Sequence, residues 1–183
     1  GEIGSTSFTR VGGIPTILVQ GDANNDTDEY DGHVIAHEFG HFIQDSLSRD
    51  DSIGGSHSTT DRLDPRVAFS EGFGNAYSAF VRGDPIYRDS SGPQQASGFG
   101  FNIESNAVAQ RGWFNESSVH SIINDVIDTP ADGVDVIAAG FGPVLSTLSA
   151  PAFVNGTAAT TIYSFTDALR SAVRHTFPPG HAR

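Results

Sequence analysis

Apolar positions along this chain keep two rhythms, an alternating one near the start and a helical one afterwards. STSFTRV and IPTILVQ flank Gly12-Gly13 and read as two β-runs joined by a glycine turn. Pro15 has no N–H to give a ladder, so the run from about Ile14 to Gln20 belongs at a sheet edge. From His33 to Asp45 the sequence HVIAHEFGHFIQD changes period. Val34, Ile35, Ala36, Phe39, Phe42, Ile43 and Leu47 recur at helical spacing and predict a helix buried on two sides. Asp64-Pro65 opens a second helix over RVAFSEGFGNAYSAFV, with Asp as N-cap and Pro first inside. Val67, Phe73, Ala76, Tyr77 and Phe80 give it apolar faces, while Gly72 and Gly74 allow another helix to approach closely. A third helix is predicted from Ser117 or Ser118 through VHSIINDVID, broken by the stretch Thr129 to Gly133. A short helix in the run from Val134 to Leu148 follows. The last spans Ser164 or Thr166 to about His175, ended by Pro178-Pro179-Gly180.

Polar stretches separate these elements. SRDDSIGGSHSTTDRLDP is long enough to wall a cleft, and His57 within it reads as a solvent-exposed loop histidine. Arg82-Gly83-Asp84 reads as the turn after the second helix. Asp89 to Gly112 is rich in Ser, Gly and Gln and predicts irregular surface chain. No repeat is visible, and no linker divides the chain.

A length of 183 residues suits one domain with an ample core. The net charge of -12 comes from 22 acidic residues against 10 basic ones, all arginine, which excludes the basic patch that nucleic acid requires. No apolar run is long enough to span a membrane. With no cysteine, any metal must be held by His, Asp or Glu. With no methionine, the chain is expected to be a processed product or a fragment of a longer precursor.

The candidate chemistry centres on His37-Glu38-Phe39-Gly40-His41. Histidines four apart share one helical face, the spacing at which two imidazoles grip one metal, and Glu38 sits about a quarter turn away. Glu71 is the one acidic side chain within the second helix, and a carboxylate among Ala68, Phe69, Phe73 and Ala76 needs a cation. In GDANNDTDEYDG, Asp22, Asn24, Asp26 and Asp28 alternate, a pattern of oxygens that could wrap calcium. It is not an EF-hand: the glycine six residues in is missing and His33 replaces the closing glutamate. The other reading of this loop is that Asp31 caps the helix that follows.

HEFGH together with SEGFGNAYSAF resembles the gluzincins, the thermolysin-like and fungalysin-like zinc metallopeptidases, from His33 to about Val81. The metzincin alternative fails, because Gln44 and Leu47 stand where that family has glycine and histidine. The resemblance implies zinc on His37, His41 and Glu71, with Glu38 as general base. Asn75 stands where thermolysin-like enzymes carry the aspartate that orients the first histidine. His120 is the implied oxyanion partner, with His175 and Tyr163 as alternates. The implied fold is α+β and zincin-like: a small antiparallel sheet with an edge strand over the active-site helix, and a mainly helical C-terminal half. Residues 1–48 form the upper part and 64–183 the lower part of a single catalytic domain. Only 32 residues precede His33, so the upper lobe is expected to be minimal or truncated. The implied activity is zinc-dependent endopeptidase cleavage of a peptide or protein substrate aligned on the edge strand, in a secreted or cell-envelope protein. The alternatives are a metal-binding module without turnover, and an aminopeptidase or other amide hydrolase.

Overall fold

The computed structural model of the chain describes residues 5–128 and 137–176, with side chains up to 172. The described residues are α+β: six α-helices and three separate two-stranded antiparallel ribbons. β1 (Ser7–Val11) and β2 (Ile14–Leu18) pair with Val11 opposite Ile14. Gly12 and Gly13 turn the chain at φ +60 and +84, a left-handed pair that glycine adopts without strain. Arg10 then grips Asp45 with two bonds of 3.0 and 2.6 Å and fastens the hairpin to α1 (Gly32–Leu47). The short ribbon of β3 (Gly21–Asp22) and β4 (Asp26–Thr27) and a 3-10 turn at Asp28–Tyr30 lead into α1.

α2 (Pro65–Arg82) is the axis of the molecule, packed between α1 and α3 (Glu116–Ile127). Asp64 caps it by accepting the Arg66 N–H at 3.0 Å, and Gly83 closes its far end at φ +61. Its residues Phe69, Phe73 and Ala76 are wholly buried. Small residues let both neighbours come close. A Cβ at Gly40 would lie 2.9 Å from the Cα of Gly74, and one at Gly74 would lie 2.9 Å from the His37 ring. α1 and α2 therefore meet nearly backbone to backbone, which brings Glu71 to the histidines. α4 (Phe141–Leu148), α5 (Pro151–Val154) and α6 (Ile162–Thr176) complete the main core, where Phe165 packs against Phe69 with centroids 5.6 Å apart.

Several expectations need correction. The stretch from Asp89 to Gly112 is irregular only after Asn102: before it, β5 (Ile86–Ser91) and β6 (Ser97–Asn102) form a hairpin with Tyr87 opposite Phe101. Glycines at 98 and 100 hide the period-two signal of Phe99 and Phe101. They are required, since a Cβ at Gly98 would lie 2.3 Å from the Asp89 carbonyl oxygen. Asp31 precedes α1 without capping it, because its carboxylate accepts the Ser90 N–H at 2.9 Å and the Ser90 hydroxyl at 2.7 Å. α1 buries Val34, Ala36 and Ile43 but leaves Phe39 and Leu47 about half exposed, so its second apolar side is open. α3 begins one residue before the earliest predicted start, and α6 begins two before. Helix in the apolar run after Val134 is seen only as α4; Thr129 to Gly133 and Pro178 to Gly180 lie outside the described residues. Among the described residues no helix is long and apolar enough to cross a membrane.

Candidate metal centre

Successive turns of α1 place His37 and His41 on the face that α2 covers, and α2 presents Glu71 to both. Three candidate donor atoms converge. His37 Nε2 lies 3.1 Å and His41 Nε2 3.4 Å from Glu71 Oε2, and the two Nε2 atoms are 3.0 Å apart. Ligands at 2.0–2.1 Å from a tetrahedral zinc ion lie roughly 3.3–3.4 Å from each other. The trio already has nearly that spacing, so the residues fit zinc.

The far side of each imidazole is held. His37 Nδ1 and Asn75 Oδ1 are 2.9 Å apart, and His41 Nδ1 and Ser70 Oγ are 3.1 Å apart. Ser70 in turn donates to Asp50 Oδ2 at 2.8 Å. With Nδ1 donating to these oxygens, each Nε2 is the atom that faces Glu71, a proton donor in the imidazolium form and a lone-pair donor to a metal in the neutral form. Asn75 is thus the oxygen beside the first histidine, one helical turn after Glu71.

Burial pushes Glu71 up, but hydrogen bonds from His37, His41 and His57 outweigh it and hold the carboxyl far below the usual range. Burial would lower His37; Glu71 overrides it by hydrogen bond and charge and, with Glu38, raises the imidazole to about 9. This centre is built around an ionised carboxylate that demands positive charge.

His57 is not a free loop histidine. Its Nε2 lies 3.3 Å from Glu71 Oε2 and 3.5 Å from Glu116 Oε2, while its Nδ1 is 3.0 Å from the Gly55 carbonyl oxygen. The Glu71 hydrogen bond chiefly raises it to about 9. Glu116, on the first turn of α3, is buried, and burial raises its carboxyl. Neither residue carries a periodic signal: His57 stands in a Gly-Ser loop, and Glu116 reads as an ordinary acidic residue at a helix start.

The centre opens into a cleft of about 1070 Å³, lined by β1, the 50–59 loop, α1, α2 and the β5–β6 hairpin. Glu38 stands on its wall, and its Oε2 accepts the Phe8 backbone N–H at 2.6 Å. Ser7 and Phe8 of β1 reach the cleft while β2 does not, so the expected strand from Ile14 is the wrong edge. The hairpin turn puts β1, not β2, against Glu38.

His120 is not at the cleft. It is 1 % exposed, stacked on Phe101 with planes 3° apart, and neither ring nitrogen has a hydrogen-bond partner. Burial lowers it to about 3. The resemblance implied an oxyanion role for His120, but α3 turns this side chain into the core. Tyr163 packs near Trp113 and is 60 % exposed, away from the cleft, and the His175 side chain lies outside the described residues. Of the proposed calcium set, Asp22 only accepts the Asn24 N–H at 3.1 Å, and both are exposed. Asp26 and Asp28 instead gather with Asp31 and Asp89.

The described residues form an α+β fold, and the family match relates the chain to a metallopeptidase family. The chain belongs to the family described as the Mycolysin C-terminal domain, whose model matches residues 20–176. That description names a C-terminal domain and no catalytic activity. No curated protein and no solved structure matches the chain.

Proposed function

We propose that His37, His41 and Glu71 hold zinc and that the cleft hydrolyses peptide bonds with Glu38 as general base. The observation that carries this reading is the approach of two Nε2 atoms and one carboxylate oxygen to within 3.0–3.4 Å, with both imidazoles oriented from behind. Bound zinc would supply Lewis acidity toward a carbonyl oxygen and acidify water. Glu38 takes the proton of the attacking water and passes it to the leaving amine. Asn75 and Ser70 keep the imidazoles in register. The oxyanion role expected of His120 falls to His57, whose side chain reaches the cleft beside Glu71. In this reading the α+β fold is zincin-like, and secretion follows by analogy with fungalysin-like proteases.

A second reading keeps the metal and drops the turnover. Two observations favour it: the family is described as a C-terminal domain, and Glu38 is already engaged by the Phe8 N–H. An aminopeptidase or other amide hydrolase would use the same centre. Metal analysis tests what both main readings share. Near-stoichiometric zinc is expected in the purified protein and a sharp loss in Glu71→Ala; retained zinc would remove Glu71 from the ligand set.

A further inference from the structure

Asp26, Asp28, Asp31 and Asp89 come from four different places in the fold: β4, the 3-10 turn, the residue before α1, and β5. Each offers a carboxylate oxygen, and these oxygens all lie within 4.8 Å of one another. Among the described residues no arginine or histidine forms an ion pair with any of the four. Crowding of this kind is unfavourable without a counter-charge.

A separate observation points inward. Asp28 is 4 % exposed, and its Oδ1 has no hydrogen-bond partner; Asp26 Oδ1 is likewise buried and unpaired. Asp28 thus has one oxygen within the group of four and a buried Oδ1 without the hydrogen bond that would compensate its loss of water. Burial and the neighbouring carboxylates also raise Asp89, to about 6. Asp31 is already fixed by Ser90, so the cluster is held in place by protein contacts.

We propose that these four aspartates form a calcium site. Four carboxylates, each able to offer one or two oxygens, suit calcium, which takes six to eight oxygens, and an all-oxygen donor set suits a hard cation rather than zinc. Asp26, Asp28 and Asp89 also line the cleft, so an ion has a path to the cluster from solvent. The site joins the loop before α1 to β5, beside the backbone bond of 2.7 Å from Gly92 N–H to the Asn25 carbonyl. It therefore braces the β5–β6 hairpin, which walls the cleft through Tyr87, Phe99 and Phe101.

Calcium titration of the zinc-loaded chain tests this, read by thermal unfolding and by terbium luminescence excited through Tyr87, two residues from Asp89. Calcium is expected to raise Tm in a saturable way and to displace terbium. Asp28→Asn and Asp89→Asn should each weaken calcium by about tenfold or more. Asp28→Asn should also raise Tm in chelator, by removing one of the crowded charges. Asp22→Asn should bind calcium like the wild type. Absence of a calcium response in the wild type, an unaltered response in both Asp28→Asn and Asp89→Asn, or an equal shift with magnesium would overturn the assignment. Zinc content is measured on the same samples, so failure here leaves the His37 centre unaffected.

Discussion

The backbone N–H of Phe8 is 2.6 Å from Glu38 Oε2, so the first strand is hydrogen-bonded to the side chain expected to act as base. A hydrogen bond to a charged acceptor contributes about 1.5–3 kcal/mol. Phe8→Pro deletes the donor while suiting extended backbone. It is expected to lower stability by up to about that amount, leave zinc content unchanged and raise peptide cleavage several-fold. A fall in cleavage at constant zinc would show that the strand positions Glu38 rather than occupying it.

Asn75→Ala should weaken zinc by about 10–100-fold, the usual cost of losing the group behind a metal-bound imidazole. Asn75→Asp should tighten it, since a carboxylate makes His37 more basic than an amide does. Competition with a chromophoric chelator measures both. Equal affinities in all three proteins would mean that the 2.9 Å contact with His37 does not tune the centre.

The seam between α1 and α2 leaves no room at Gly40 or Gly74. Gly40→Ala places a methyl 2.9 Å from the Gly74 Cα and should cost about 1–3 kcal/mol by overpacking. It should also loosen zinc, because the same seam sets the distance from Glu71 to the histidines. Gly83→Ala, at φ +61 with open space around it, should cost about 1 kcal/mol and leave zinc affinity unchanged. Denaturant melts with parallel zinc titrations separate the two.

His120 predicts a specific acid lability. Its folded value is lowered to about 3 by burial, whereas an unfolded histidine titrates near 6.5. Between those values the unfolded chain binds the extra proton, so stability falls as pH drops from about 6.5 towards 3. His120→Phe should remove this component of the slope; an unchanged slope from pH 6.5 to 4 would mean that His120 is protonated in the folded protein.

The helices and HEFGH were legible because both are local: apolar period, the Asp64-Pro65 cap and a four-residue histidine spacing act within one element. Glu71 was legible as an acid stranded in an apolar helix, and Gly74 as a place for another helix to approach. What escaped is long-range. His57 and Glu116 reach the centre only because α3 and the 50–59 loop fold over α2. Asp89 joins Asp28 through a ribbon whose strand signal is masked by Gly98 and Gly100. Alternation in the acidic loop suggested that Asp22 and Asn24 share an ion with Asp26, but the β3–β4 turn takes them to the surface.

Zinc content and cleavage of an unfolded protein substrate, measured together on wild type and Glu38→Gln, address the central claim most directly. The hydrolase reading predicts near-stoichiometric zinc in both proteins, cleavage by the wild type, and a loss of about 10²-fold or more in Glu38→Gln. Equal cleavage by both would contradict Glu38 as the base, and zinc without cleavage in either would leave a metal-held module in its place.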